Sequence, residues 1–199
     1  MSAGNFTVER TKRFGLPLLG SRVYGDDRGF FYESWREESL RALGIDAEFV
    51  QDNHSFSRKG VLRGLHWQGE PFVQAKLVRC TRGRVRDVVV DIREGSPTFG
   101  ESEAVVLEAA SPGSGLLRML FVPPGFAHGF LALADENDVQ YKVTAPWNAA
   151  AEGCIAWDDP GLAVDWQFPG PFVVSAKDRA GMSFEEYRRK PVFRWEGKP

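Results

Sequence analysis

The sequence predicts a mainly β protein, a double-sheet jelly roll or a barrel with a few short helices. Three observations carry that prediction. Strand-like segments of about 4–8 residues recur at short, regular intervals. Gly and Pro punctuate the gaps, as in Glu94-Gly95-Ser96-Pro97 and Pro123-Pro124-Gly125. Helical patterns are brief and sit near the two ends. In chain order, Phe30-Phe31-Tyr32 follows the turn Gly25-Asp26-Asp27-Arg28-Gly29, and Glu37–Leu43 is helical. Phe49-Val50-Gln51 reads as a strand ahead of the polar run Asp52-Asn53-His54-Ser55, and Val61–Gln68 as an extended apolar stretch. Lys76–Cys80 and Val85–Ile92 flank Thr81-Arg82-Gly83-Arg84, whose glycine and spacing predict a hairpin. Ala104–Glu108, Leu116–Val122, Gly129–Leu133 and Val139–Val143 continue the series. Ser183–Lys190 is helical, with Ser183 and Glu186 spaced as a capping box. No repeat, low-complexity stretch or Gly/Ser linker interrupts the chain. Residues 1–199 are therefore expected to form one domain, with an N-terminal strand segment and a Pro-rich tail after Pro160 wrapping the core as loops and short helices.

Composition excludes several functions. A chain of 199 residues that is 43% hydrophobic, with 15 Phe and 6 Trp, can bury a substantial core, so disorder is not a candidate. The net charge of −2 comes from 25 basic and 27 acidic residues spread along the chain, with no basic block to suggest nucleic acid. No apolar run is long enough to span a bilayer. Met1-Ser2-Ala3-Gly4-Asn5 lacks a charged region followed by an apolar core, so a cytoplasmic location is expected. Cys80 and Cys154 are far apart and form no CxxC pair; they are expected to be reduced and buried, too few for a thiolate metal site.

The segment Val61-Leu62-Arg63-Gly64-Leu65-His66-Trp67-Gln68 is the most informative. In a regular strand His66 shares a face with Gly64 and Gln68, while Arg63 points the other way. Gly64 removes bulk beside His66 and leaves room for a ligand. A histidine in such a pocket suits a general base, since its unperturbed pKa is about 6.5. The bland reading is a core histidine satisfied by a hydrogen bond. A metal is the second reading, because only His54, His66 and His128 are present, without an HxH pair.

Other polar residues fall in comparable settings. Lys76 lies in a half-buried strand, either covering apolar surface with its stem or facing the cavity as an oxyanion stabiliser. Tyr141 shares a face with Val139 and Val143, as a core aromatic or a general acid. Asp178 is a turn or cap carboxylate, or the partner that fixes a histidine tautomer. Arg28, Arg63, Gln51 and Asn53 are candidate readers of an anionic or polar ligand. Pro124-Gly125-Phe126-Ala127-His128-Gly129-Phe130 sets His128 between small residues where a ligand could approach.

Taken together, these segments resemble the dTDP-4-dehydrorhamnose 3,5-epimerase family, cofactor-independent sugar-nucleotide epimerases with a cupin-like jelly roll. The resemblance runs from about Gly25 to Arg179. It rests on Gly25–Glu33, Phe49–Ser55, Leu62–Gln68, Lys76–Cys80, Gly95–Gly100, Pro124–Phe130, Tyr141–Thr144 and Ser175–Asp178. It implies His66 as the base that removes the proton next to the C4 ketone, with Asp178 as its partner. It further implies Lys76 near the enolate oxygen and Tyr141 as the acid on the opposite face. Arg28, Glu33, Gln51, Asn53, Arg63, His128, Glu152 and Lys177 match positions that bind the nucleotide, its phosphates or the sugar. Trp147 falls where the family stacks an aromatic, usually tyrosine, on thymine. A homodimer is implied too, because the family's phosphate-reading arginine and N-terminal strand are shared across its interface.

The chemistry agrees with this inventory independently. Inverting a carbon beside a ketone needs a base, an acid on the other face and an oxyanion stabiliser, and neither metal nor redox cofactor. The expected activity is C3 and C5 epimerisation of dTDP-4-dehydro-6-deoxy-D-glucose. One departure bears on it: Pro146-Trp147 stands where the family has an aromatic pair, in a region that could decide between one and two epimerised carbons. Two other classes compete, a non-catalytic nucleotide-sugar binder and a metal-dependent cupin. The binder should have lost His66, Tyr141 or Asp178, and all are present.

Overall fold

The computed structural model describes residues 1–197. Its strands are β1 (Ser2–Ala3), β2 (Phe6–Arg10), β3 (Pro17–Asp26), β4 (Gly29–Tyr32), β5 (Gln51–Arg58), β6 (Val61–Gln68), β7 (Lys76–Arg82), β8 (Arg84–Asp91), β9 (Arg93–Glu94), β10 (Ser102–Glu108), β11 (Leu116–Val122), β12 (Phe126–Ala132), β13 (Glu136–Val143), β14 (Glu152–Cys154), β15 (Val173–Val174) and β16 (Phe193–Arg194). The helices α1 (Glu37–Ala42), α2 (Ala176–Arg179) and α3 (Phe184–Arg189) are short. One sheet runs β1-β2-β3-β11-β7-β13-β5, with β4 added on β3. The other runs β10-β8-β12-β6-β14, with β15 lying parallel to β6. This is the mainly β, double-sheet jelly roll that the strand spacing predicts. Among the described residues no helix is long and apolar enough to cross a membrane.

Alternation along the strands builds three apolar layers. On β8, Val85 and Val89 point between the sheets while Val88 and Val90 point to the outer face. Val78 and Cys80 of β7, Leu120 and Val122 of β11, Val139 of β13 and Phe126 and Phe130 of β12 complete the middle layer. Outside the second sheet, Leu62, Leu65 and Trp67 pack against Leu162, Trp166, Phe184 and Tyr187, all from the chain after Pro160. Outside the first sheet, Leu40 of α1 and Leu43 at its C-cap cover Phe6, Leu19 and Met119. Helix α3 starts on the expected capping box, with Ser183 accepting from the Glu186 amide and Glu186 from the Ser183 amide.

Two expectations about the strands are corrected. The polar run Asp52–Ser55 is itself strand: β5 begins at Gln51, and Gln51, Asn53, Ser55 and Ser57 form its inward row. A polar inward row is unusual for a strand, and it arises because this one lines a cavity. The segment Thr81–Arg84 is not a hairpin. β7 pairs with β11 and β13, whereas β8 pairs with β10 and β12, so the turn carries the chain from one sheet to the other. Gly83, at φ 73°, makes that corner, and a Cβ there would fall 2.2 Å from the Glu136 carbonyl oxygen.

Candidate active site

The middle layer is apolar at one end and polar at the other. Lys76 precedes Val78 and Cys80 on the inward row of β7, His128 lies between Phe126 and Phe130 on β12, and Tyr141 follows Val139 on β13. These inward rows meet around a cavity of about 530 Å³. It is lined among others by Arg63, His66, Lys76, His128, Tyr141, Trp147, Glu152, Lys177 and Asp178. An adjoining recess of about 180 Å³ adds Gln51 and Asn53 to a wall that again includes His66, Lys76, Tyr141, Trp147 and Glu152.

His66 reaches the cavity through an irregularity in β6. His128 is paired with His66, but Phe130 is paired with Arg63, so three steps on β6 oppose two on β12. That extra residue is a β-bulge, and it breaks strict alternation. Leu62 and Leu65 consequently share the outer core, and Arg63 and His66 share the cavity. The expectation that Arg63 points away is thereby overturned. The role expected of Gly64 changes as well: a Cβ there would lie 2.5 Å from the Gly129 Cα. The space is taken by the neighbouring strand, not kept for a ligand.

Asp178 holds the ring. Its Oδ1 accepts from His66 Nε2 at 2.7 Å, and its Oδ2 from the Gly64 amide at 3.4 Å. Ser175 caps α2 by accepting from the Asp178 amide at 3.0 Å, which fixes the helix turn carrying the carboxylate. Burial alone would raise the Asp178 carboxyl; the hydrogen bond and charge of His66, with the Gly64 amide and Ser175, outweigh it and hold the group below its ordinary value. An ionised carboxylate only accepts, so the proton resides on Nε2 and Nδ1 is left as the basic nitrogen.

Other polar groups line the same cavity. Desolvation pulls Lys76 down to about 8, against the charges of Asp87 and Glu152, and its Nζ donates to the His66 carbonyl at 3.4 Å. Burial pushes the Tyr141 phenol up, so it stays protonated near neutrality. Its hydroxyl has no hydrogen-bond partner among the described residues. The Glu152 carboxylate accepts from Lys177 Nζ at 2.5 Å and from the Trp147 indole at 3.2 Å. The Trp147 backbone amide donates to Gln51 at 3.1 Å, and the residue remains 59% exposed at the cavity mouth. Cys154, expected to be buried, is half-exposed on the edge strand β14, and burial still pushes its thiol up to about 12.

Arg28 and Glu33 are not brought to this cavity. Arg28 lines a separate hollow with Tyr24, Asp26, Phe30 and Phe31 and is paired with Asp26. Glu33 accepts from Asn5 at 3.0 Å and pairs with Arg36. Conversely, sequence reasoning missed Asp87, which is fully buried and accepts from His128 Nε2 at 2.9 and 3.0 Å. A signal was available: Asp87 stands on the inward row between Val85 and Val89, where a carboxylate needs a partner.

Comparison with known proteins agrees with this geometry. The family profile described as dTDP-4-dehydrorhamnose 3,5-epimerase matches residues 10–186. The enzyme of that name from Pseudomonas aeruginosa is 45% identical over 181 residues, covering 89% of this chain and 97% of the relative. That from Escherichia coli is 44% identical, covering 92% and 96%. The dTDP-6-deoxy-D-glucose-3,5-epimerase of Legionella pneumophila, solved with dTDP-4-keto-L-rhamnose, superposes with a TM-score of 0.87 at 41% identity, covering 96% of this chain and 99% of that one. A 3′-monoepimerase from Streptomyces bikiniensis, solved with dTDP-quinovose, gives 0.83 at 29% identity, covering 94% and 92%. With a His–Asp pair, a lysine and a tyrosine converging in a jelly-roll cavity, this chain belongs to the dTDP-4-dehydrorhamnose 3,5-epimerase family.

Proposed function

We propose that this chain epimerises dTDP-4-dehydro-6-deoxy-D-glucose at C3 and C5 through enolate intermediates, on the way to a dTDP-L-rhamnose-type deoxysugar. The observation that carries the reading is the Asp178–His66 pair facing the same cavity as Tyr141 and Lys76. His66 Nδ1 takes the proton beside the C4 ketone. Lys76, still largely protonated near neutrality, stabilises the developing oxyanion. Tyr141 returns a proton on the opposite face, and its unpartnered hydroxyl is free to do so. Arg63, His128, Glu152, Lys177, Gln51 and Asn53 bind the sugar nucleotide, and Trp147 stacks on the base. None of these steps calls for a metal or redox cofactor.

In this reading the chain is one jelly-roll unit working as a homodimer. Arg28 and Glu33, remote from their own cavity, are supplied to the partner's. The exposed Phe30, Phe31 and Tyr24 beside Arg28 support an interface there. Two free cysteines fit a reducing, cytoplasmic setting.

Proton NMR of the substrate with enzyme in deuterated water tests the activity. Deuterium should replace hydrogen at both C3 and C5. Exchange at one carbon alone would point to single-site epimerisation, the outcome that Pro146-Trp147 raises; exchange at neither would overturn the reading.

A further inference from the structure

We infer that His66, Cys154 and Asp178 form an inhibitory site for a soft divalent cation of the zinc or cobalt kind. One ligand atom from each of the three lies within 4.8 Å of the others. They come from three elements, β6, β14 and the α2 turn. Cys154 is directly opposite His66 in the β6–β14 pairing, which sets thiol and imidazole side by side. Asp178 is held by the α2 cap and already touches the ring. A tetrahedral zinc ion, bonded at about 2.0–2.3 Å, draws its ligand atoms to about 3.5 Å from one another. The His66–Asp178 contact of 2.7 Å must therefore open while the thiol closes in, a shift of about 1 Å at the side-chain tips.

The donor set selects the ion. One sulfur, one nitrogen and one oxygen suit zinc or cobalt and reject magnesium and calcium, which take oxygen ligands. The two nearby ammonium groups are engaged elsewhere: Lys177 with Glu152, and Lys76 with the His66 carbonyl. Coordination replaces the thiol proton, which leaves to solvent, and detaches His66 from Asp178. The ion thus removes both the base and its orienting partner. It inhibits, in contrast to a resident cofactor. This inhibitory consequence rests on the role proposed for His66; the binding does not.

The test uses the whole chain, freed of metal, with Co²⁺ and Zn²⁺ as probes. Co²⁺ should give a thiolate-to-cobalt charge-transfer band that saturates at one equivalent, and Zn²⁺ should bleach it. Zn²⁺ should inhibit epimerisation, and EDTA should restore it fully. Cys154→Ser, at a residue whose thiol donates to the Gly64 and Ile155 carbonyls, should keep its metal-free activity, lose the band, and need roughly tenfold or more zinc for inhibition. No band in the parent chain, or a band that persists in Cys154→Ser through Cys80, would overturn the site. Equal zinc inhibition of both proteins would overturn its inhibitory role. Because the cobalt band needs no substrate, it decides the site even if the chain does not epimerise dTDP sugars.

Discussion

The proposed proton transfer on two faces of one carbon asks different things of His66 and Tyr141. The imidazole must accept, and Asp178 holds the proton on Nε2 and leaves Nδ1 free; the phenol must donate, and burial keeps it protonated. Their losses should therefore leave different isotope signatures. His66→Ala should abolish both deuterium uptake and inversion, because no enolate forms. Tyr141→Phe should still form the enolate and take deuterium back from His66 on the original face, with inversion slowed about 10²–10⁴-fold. Normal inversion in Tyr141→Phe would place the acid elsewhere. At the cavity mouth, Trp147→Ala should weaken dTDP binding by about 1–3 kcal/mol, the usual worth of an aromatic–base stack. Trp147→Phe keeps an aromatic face to stack and forfeits only the indole bond to Glu152, so it should lose far less. Equal calorimetric affinities for the parent and the alanine variant, with circular dichroism unchanged, would take Trp147 out of the site. At this scale the motifs were legible because the chemistry is compressed into short segments. For Asp87 the inward position signalled only the need for a partner; its partner His128 lies 41 residues away and only the folded register joins them.

The bulge on β6 sets the position of His66, the proposed base. A regular strand would send Leu62 and Leu65 to opposite faces; here both enter the outer core, and Arg63 and His66 turn together into the cavity. Two glycines make room for it. A Cβ on Gly129 would sit 2.7 Å from the Arg63 carbonyl oxygen and 3.1 Å from the Gly64 Cα, both backbone atoms that cannot rotate away. Gly129→Ala should therefore destabilise the fold by about 1–3 kcal/mol, as overpacking does. It should also push β6 off β12, and a displacement of about 1 Å at His66 would cost on the order of 10² in rate. Urea unfolding and kcat measure the two effects separately. If midpoint and kcat are both unchanged, the close approach does not fix the base. Strand positions were readable from apolar runs, but pairing was not. Thr81–Arg84 has a hairpin's residues, yet Gly83 bends where the Glu136 carbonyl and Asn137 crowd it, and the chain changes sheets. Nor could alternation reveal a bulge, whose extra residue is defined only by the neighbour it fails to pair with.

On the scale of the whole molecule, one chain builds most of a site and leaves two of its expected readers outside. Arg28 sits in its own exposed hollow, 2 residues beyond the Asp26 that holds it and beside Phe31, which is 67% exposed. An isolated chain gives these side chains no use. The proposed two-fold partner would give them one, because a self-complementary interface would deliver the same residues to both sites. Two inactive variants can decide between the arrangements. Arg28→Ala and His66→Ala, each assayed alone, should lose most activity. If Arg28 acts across the interface, their mixed dimer has one site with both lesions and one with neither. Co-refolding equal amounts should then restore about a quarter of the parental activity, since about half the dimers are mixed and one of their two sites is intact. If Arg28 serves its own chain, every site carries a lesion and mixing restores nothing. Light scattering on the same samples supplies the control: recovery should track the dimer peak and vanish when the chains are refolded apart. A monomer of full activity would remove the interface from the mechanism and return Arg28 to an ordinary solvated arginine.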